Sequence, residues 1–194
     1  LGRPVKWYPD RGDAFLTDYH ARDHVMHAEL ALDADGAFLA IRCKTISAMG
    51  AYQTGAAAVI PTAGGTRMMT NVYRIDTFHA QTLCVFTNTT PIAAFRGAGK
   101  PEYCYMVERL VDNAARELGL DPAELRRRNL IAPDQMPYAT PTGLVYDSGA
   151  FQASRDHALP LAGQACFDHR RHRARGTRRV PGRGQAAHPP TAGC

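Results

Sequence analysis

The residues best suited to chemistry lie in one stretch, Thr87 to Glu102, where Ala94-Phe95-Arg96-Gly97-Ala98-Gly99-Lys100-Pro101-Glu102 leads from a strand-like run into a helix-like one. Small residues at 97, 98 and 99 let backbone N–H groups approach a ligand closely, and the helix that follows directs partial positive charge at it. Arg96 adds a forked, permanently charged donor. Together these features describe a loop that holds an anion or a cofactor. A Gly-x-Gly turn alone is equally a tight strand-to-helix connection carrying a surface arginine. The stretch is not a Walker A loop, which needs a Lys-Ser/Thr pair, nor a dinucleotide fingerprint, which needs a third glycine.

Other chemistry-bearing groups point less sharply. His20, His24 and His27 would align as zinc ligands on a helix, but the segment alternates like a strand, where 27 falls on the opposite face from 20 and 24. Cys43, Cys84, Cys104, Cys166 and Cys194 show no CxxC spacing; they read as free thiols and assemble neither an iron-sulfur cluster nor a zinc site. Cys104 has no histidine near it in sequence, so it reads as a packing thiol rather than a nucleophile. Met68 and Met69 read as adaptable packing, and Arg126, Arg127 and Arg128 as a solvated helix face.

The elements that must position the 94–99 loop follow from periodicity. Alternation from His24 to Leu32, a turn at Asp33-Ala34-Asp35-Gly36 and a second strand from Phe38 to Ile46 predict a β-hairpin. The glycine- and threonine-rich segment 54–66 reads as a loop, and 79–87 as a buried strand. Past Lys100, Met106, Val107, Leu110, Val111, Ala114 and Leu118 recur at helical spacing, with Pro101 in the first turn and Gly119 as the stop. Asp121 as N-cap, Pro122 and Glu124 in a capping box begin a second helix. A short helix over 151–159 would end at Pro160. Strands first and helices later make the fold class α+β, with a mixed or antiparallel sheet, a β-hairpin and two packed helices.

With 194 residues, 45% of them hydrophobic, the chain can bury a core. Its net charge of +5 is concentrated at one end. Seven arginines and no acid lie between His169 and Cys194, leaving 16 basic against 18 acidic side chains before them. A nucleic-acid-binding role would thus rest on the tail alone. Residues 164–194 read as an irregular, arginine-rich tail, disordered or out of frame, after a domain over 1–163. No apolar run is long enough to cross a bilayer, and the N-terminus lacks signal-peptide order, so the expectation is cytoplasmic. Leu1 in place of methionine places the expected N-terminus upstream.

The run 94–102 resembles the active-site loop of the xanthine dehydrogenase/aldehyde oxidase family of molybdenum hydroxylases, A-[FY]-R-G-x-G-x-P-[EQ]. Val107-Glu108-Arg109-Leu110-Val111-Asp112, the stretch from Glu117 to Leu130, and Gly2-Arg3-Pro4-Val5-Lys6 are similar to that family as well, so that the likeness covers roughly residues 1 to 150 in order. The resemblance implies part of a larger molybdenum-cofactor-binding domain, in the large, catalytic subunit. It implies a molybdopterin cofactor with Mo, in the cytosine dinucleotide form, contacted by Phe95, Arg96, Gly97, Ala98 and Gly99. It further implies hydroxylation of an aldehyde or N-heterocycle with water as oxygen source, and electrons passed to 2Fe-2S and FAD centres in small and medium partner subunits, as a dimer of heterotrimers.

Departures from the pattern narrow this expectation. The carbon monoxide dehydrogenases of the family carry a copper-binding cysteine where this chain has Gly97, and purine hydroxylases carry a stacking phenylalanine where it has Ala98. A substrate-clamping arginine of the purine enzymes would fall near Gly64, judged by spacing from Tyr73. A carbon monoxide dehydrogenase-like large subunit without the copper site stays open as the alternative. The family's glutamine-containing cofactor loop is expected before Leu1 and its general-base glutamate beyond Cys194, so no catalytic residue falls within this chain, which is expected to be inactive alone.

Overall fold

The computed structural model describes residues 2–167 and 170. Of the tail 164–194 expected to be irregular, residues 164–167 and 170 are described, with Gln164–Cys166 forming a helical turn, and the rest lies outside the described residues. After a short helix α1 (Arg11–Thr17), capped by Asp10, the chain forms β1 (His24–Leu32) and β2 (Phe38–Ala48). These pair antiparallel around the Asp33–Gly36 turn, where the Asp33 carboxylate accepts from the amides of Asp35 and Ala37. The predicted hairpin is therefore present, and β2 runs two residues further than its periodicity indicated.

Strand β3 (Thr77–Val85) completes a mixed three-stranded sheet in the order β1-β2-β3, lying parallel to β2. A parallel partner needs a crossover, and residues 49–76 supply it. This crossover corrects the reading of 54–66 as plain loop: Ala57–Val59 and Ile60–Gly64 form helical turns. Glycine and threonine content hid them. The reading of 79–87 as a buried strand also changes. β3 begins and ends two residues earlier, and its outward residues, Leu83 and Val85 among them, are exposed.

Helix α2 (Lys100–Leu118) packs its apolar stripe, Tyr103, Met106, Val107, Val111, Ala114 and Ala115, against the inner side chains of the sheet, among them Phe38, Ile41 and Cys43. Spacing of three and four places these residues on one face, which is why the helix was legible. Helix α3 (Pro122–Asn129) follows, with Asp121 accepting from the Ala123 amide. The capping box expected there is not formed, because Glu124 binds Arg127 and Arg128 instead. A small ribbon of β4 (Tyr138–Ala139) and β5 (Val145–Tyr146) precedes α4 (Phe151–Leu161). Pro160 stands inside α4, in its last turn, rather than ending it.

Two polar junctions hold helices to sheet. Asn129, 1% exposed, accepts from the Phe38 amide at 2.8 Å and donates to the Gly36 and Leu125 carbonyls at 2.9 Å, binding the end of α3 to the hairpin turn. Arg126 joins α3 to α2 through Glu108 (2.9 Å from Nε) and Asp112 (2.9 Å), while Tyr73 donates to Glu108 at 2.8 Å. Arg126 is therefore a half-buried interhelical tie, which corrects its reading as part of a solvated face; burial opposes its charge, but Tyr73 and the two carboxylates raise its pKa above the ordinary value. Arg127 and Arg128 remain on the exposed side.

Candidate functional site

The segment leading to the loop is clamped from two sides. The Ile92 amide donates to the Met49 carbonyl at 3.2 Å, and the Thr54 hydroxyl donates to the Ile92 carbonyl at 3.1 Å. From the other side, His20 forms a parallel bridge with Ile92, its amide donating to Pro91 and its carbonyl accepting from Ala93. The loop thus leaves a fixed platform.

From Gly97 to Gly99 the backbone takes three successive left-handed conformations, with φ of 96°, 40° and 94°. Glycine adopts these freely and Ala98 does not, so a strained residue sits in the middle of the run. Two internal bonds close it, Ala98 N–H to the Phe95 carbonyl (2.8 Å) and Lys100 N–H to the Gly97 carbonyl (3.0 Å). Gly99 then becomes the N-cap of α2, and Pro101 falls in its first turn as the sequence indicated. A Cβ at Gly99 would stand 2.4 Å from the Ile60 carbonyl oxygen, so the loop rests directly on the backbone of the 60–65 turn. Tyr103, one turn along α2, fixes that turn from within by donating to the Pro61 carbonyl at 3.0 Å, with its oxygen 3.1 Å from the Thr45 hydroxyl. Burial raises the Tyr103 phenol above its ordinary pKa and keeps the proton on this oxygen.

The five loop residues expected to face a cofactor, Phe95, Arg96, Gly97, Ala98 and Gly99, are contiguous on this support. Phe95 is 63% exposed and Arg96 is exposed, whereas Gly97 and Ala98 are half-buried and Gly99 is buried. Among the described residues no carboxylate pairs with the Arg96 guanidinium. These residues fit an extended anionic group: an available fork of donors, an exposed ring, and glycine positions at which a Cβ would fill the space against Pro101 or Ile60. Gly64 also comes to the loop, its Cβ position lying 3.4 Å from the Ala98 carbonyl oxygen.

Behind the loop, β1 and α2 enclose a cavity of about 550 Å³ lined in part by Arg22, His24, Glu102, Tyr105, Arg109 and Asn113. Sequence reasoning did not single out Arg22, and it took Glu102 as the last residue of the 94–102 motif. The Glu102 side chain is 8% exposed; Oε1 lies 3.7 Å from Arg22 Nε, and Oε2 is buried without a hydrogen-bond partner. His24 Nδ1 is likewise buried and unpartnered, and burial lowers the pKa of this imidazole against the opposing pull of Glu102 and Asp23. Nothing in the local spacing marks Arg22, because its partners are remote in sequence.

The remaining candidates separate. β1 turns His24 toward the interior and His27 outward, so the imidazoles do not converge. Cys104 is exposed; burial of its thiol and the Glu108 charge raise its pKa, which disfavours a thiolate nucleophile. The free-thiol reading holds at Cys43, Cys84 and Cys104 and fails at Cys166, which is disulfide-bonded. Met69 is fully buried in the core and Met68 packs against it, as packing residues.

A strained, glycine-lined loop that presents an arginine at a helix start, on a mixed sheet, has the donors and the space to suit an anionic group. The chain belongs to the molybdopterin cofactor-binding domain family, whose model matches residues 1–130. It is 37% identical over 161 residues to the carbon monoxide dehydrogenase large chain of Hydrogenophaga pseudoflava, covering 82% of this chain and 20% of the relative. It is 36% identical over 169 residues to the 6-hydroxypseudooxynicotine dehydrogenase complex subunit gamma of Paenarthrobacter nicotinovorans, covering 84% and 21%. The fold superposes on quinoline 2-oxidoreductase from Pseudomonas putida 86 with a TM-score of 0.84 and 33% identity, over 91% of this chain and 22% of that one. The chain thus spans about a fifth of the length of these relatives. Among the described residues, no helix is long and apolar enough to cross a membrane.

Proposed function

We propose that this chain contributes the molybdopterin-facing loop to the large subunit of a molybdenum-dependent oxidoreductase that hydroxylates an aldehyde or an N-heterocycle with oxygen from water. The observation that carries the reading is the left-handed 97–99 run, which sets slim backbone and the free Arg96 side chain side by side in a chain of this family. The cofactor, in its cytosine dinucleotide form, would be held by Arg96 and by the backbone of Gly97, Ala98 and Gly99, with Phe95 beside it. When bound, the group supplies the two-electron redox chemistry. The chain's own share is orientation and charge. The Arg96 guanidinium offers two parallel donors to an anionic oxygen, and the 60–65 turn keeps the loop from yielding under Gly99.

Gly64 and Ala98 stand together at the loop, and neither offers the clamp or the stacking ring that the family resemblance associates with purines. A carbon monoxide dehydrogenase reading has no advantage. The relatives named for carbon monoxide and for 6-hydroxypseudooxynicotine are 37% and 36% identical to the chain, and Gly97 supplies no thiolate for copper. Electrons would pass to a small 2Fe-2S subunit and a medium FAD subunit, in a dimer of heterotrimers in the cytoplasm, and residues 1–163 would form this chain's part of the cofactor domain. With no general base assigned among its residues, the chain alone would not turn over. In the enzyme containing this chain, Arg96→Ala should remove most of the bound molybdenum and pterin, measured by elemental analysis and pterin fluorescence, along with turnover on aldehydes and N-heterocycles. Unchanged metal content and turnover would refute the assignment.

A further inference from the structure

We propose that Arg22 is a positioning residue for the 95–99 loop, the part that holds Arg96 and Phe95 in their presenting conformation. One guanidinium makes three contacts at once. Its Nη2 donates to the Arg96 carbonyl, its plane lies over the Phe95 ring at 5.1 Å, and its Nε faces Glu102 Oε1 at 3.7 Å. The first contact fixes the peptide that begins the left-handed run, and the second fixes the side chain before it. The third joins both to the first turn of α2. A planar fork can serve these three directions together; an ammonium cannot.

The route by which Arg22 reaches the loop is itself specified. The His20–Ile92 bridge sets the two segments side by side, and Arg22 takes a left-handed φ of 67° before β1 begins. Such a conformation is rare for a side-chain-bearing residue and persists where surrounding contacts hold it. Among the described residues Arg22 is the only arginine or lysine within ion-pair distance of Glu102, whose side chain is nine-tenths buried.

This inference rests on reading 95–99 as the cofactor-facing loop, and its test reads the loop without cofactor. Hydrogen exchange of the intact chain would be followed by mass spectrometry in peptides covering 94–99, with 106–116 as internal reference. Arg22→Ala should speed exchange at 94–99 by about tenfold or more, as an eased local opening does, and added ethylguanidinium should restore protection. Arg22→Lys keeps the charge beside Glu102 and loses the fork; it should speed 94–99 while leaving 106–116 at the native rate. Should Arg22→Ala also lose protection at 106–116, the Arg22→Lys comparison decides. Native exchange at 94–99 in Arg22→Lys, or acceleration spread equally over 106–116, overturns the proposal and leaves the role of Arg96 untouched. Accelerated exchange together with an Arg96→Ala enzyme that keeps its molybdenum would leave Arg22 as the loop's support and remove the cofactor reading.

Discussion

Replacing Gly99 by alanine separates two physical effects that most glycine substitutions combine. At φ 94° a Cβ is strained, and here it would also stand 2.4 Å from the Ile60 carbonyl oxygen and 3.1 Å from Gly65 Cα. Gly119, the C-terminal cap of α2, has a φ of 66° and open space where a Cβ would go. The left-handed backbone should cost about 1–2 kcal/mol at either site. The overlap at Gly99 adds about 1–3 kcal/mol, the scale of overpacking in a filled interior. Gly99→Ala is therefore expected to lose about 2–5 kcal/mol and Gly119→Ala about 1–2 kcal/mol. With a urea slope of about 2 kcal/mol per molar, the midpoints should fall by about 1–2.5 M and about 0.5–1 M. Equal midpoint shifts in the two variants would show that the loop does not rest on the 60–65 backbone, and the account of the site's support would fail.

Asn129→Leu strips the Phe38 amide and the Gly36 carbonyl of their partner, at about 1–3 kcal/mol for each buried group; a thermal or chemical unfolding loss under about 1 kcal/mol would contradict the junction described. Glu124, drawn down to about 2 by hydrogen bonds from Arg127 and then Arg128, contributes fully above its ordinary 4.5 and loses that contribution as pH falls toward 2. Its carboxyl resonance should titrate near 2, and a midpoint at the ordinary value would mean that the pairs do not form in solution. His24 should titrate below 6.5, because burial favours the neutral ring. Stability from that ring is complete above 6.5 and falls as pH drops below it. Glu102→Gln removes an influence that raises the His24 value, so the midpoint should move lower still; an upward shift in the NMR titration would contradict the arrangement of that cavity.

Local periodicity made the hairpin, α2 and α3 legible, because each carries its own pattern of two or three-and-a-half residues and its own turn or cap. The 94–99 loop was legible through its motif and its place before Pro101. Its three left-handed residues were not, since an alanine at position 98 gives no sign of a positive φ. Pairings between distant residues escaped as well. The parallel match of β2 with β3, Arg126 between two helices and Arg22 against the loop all depend on which surfaces meet after the chain has folded. Glu124 shows the same limit at short range: its spacing from Asp121 fits a capping box, but two arginines compete successfully for its carboxylate. Asn129 did carry a signal, a polar residue set between Leu125 and Leu130 where a core position falls, and it turned out to be among the most buried side chains.

The partnership of Arg22 with the Arg96 carbonyl spans 74 residues of chain. The hairpin closes between near neighbours, whereas this contact, like the Asn129 bond to the Phe38 amide across 91 residues, closes a long stretch of chain at a larger entropy cost. The shape of the loop is therefore owed to the fold of the whole intervening chain and not to the loop's own nine residues, 94–102.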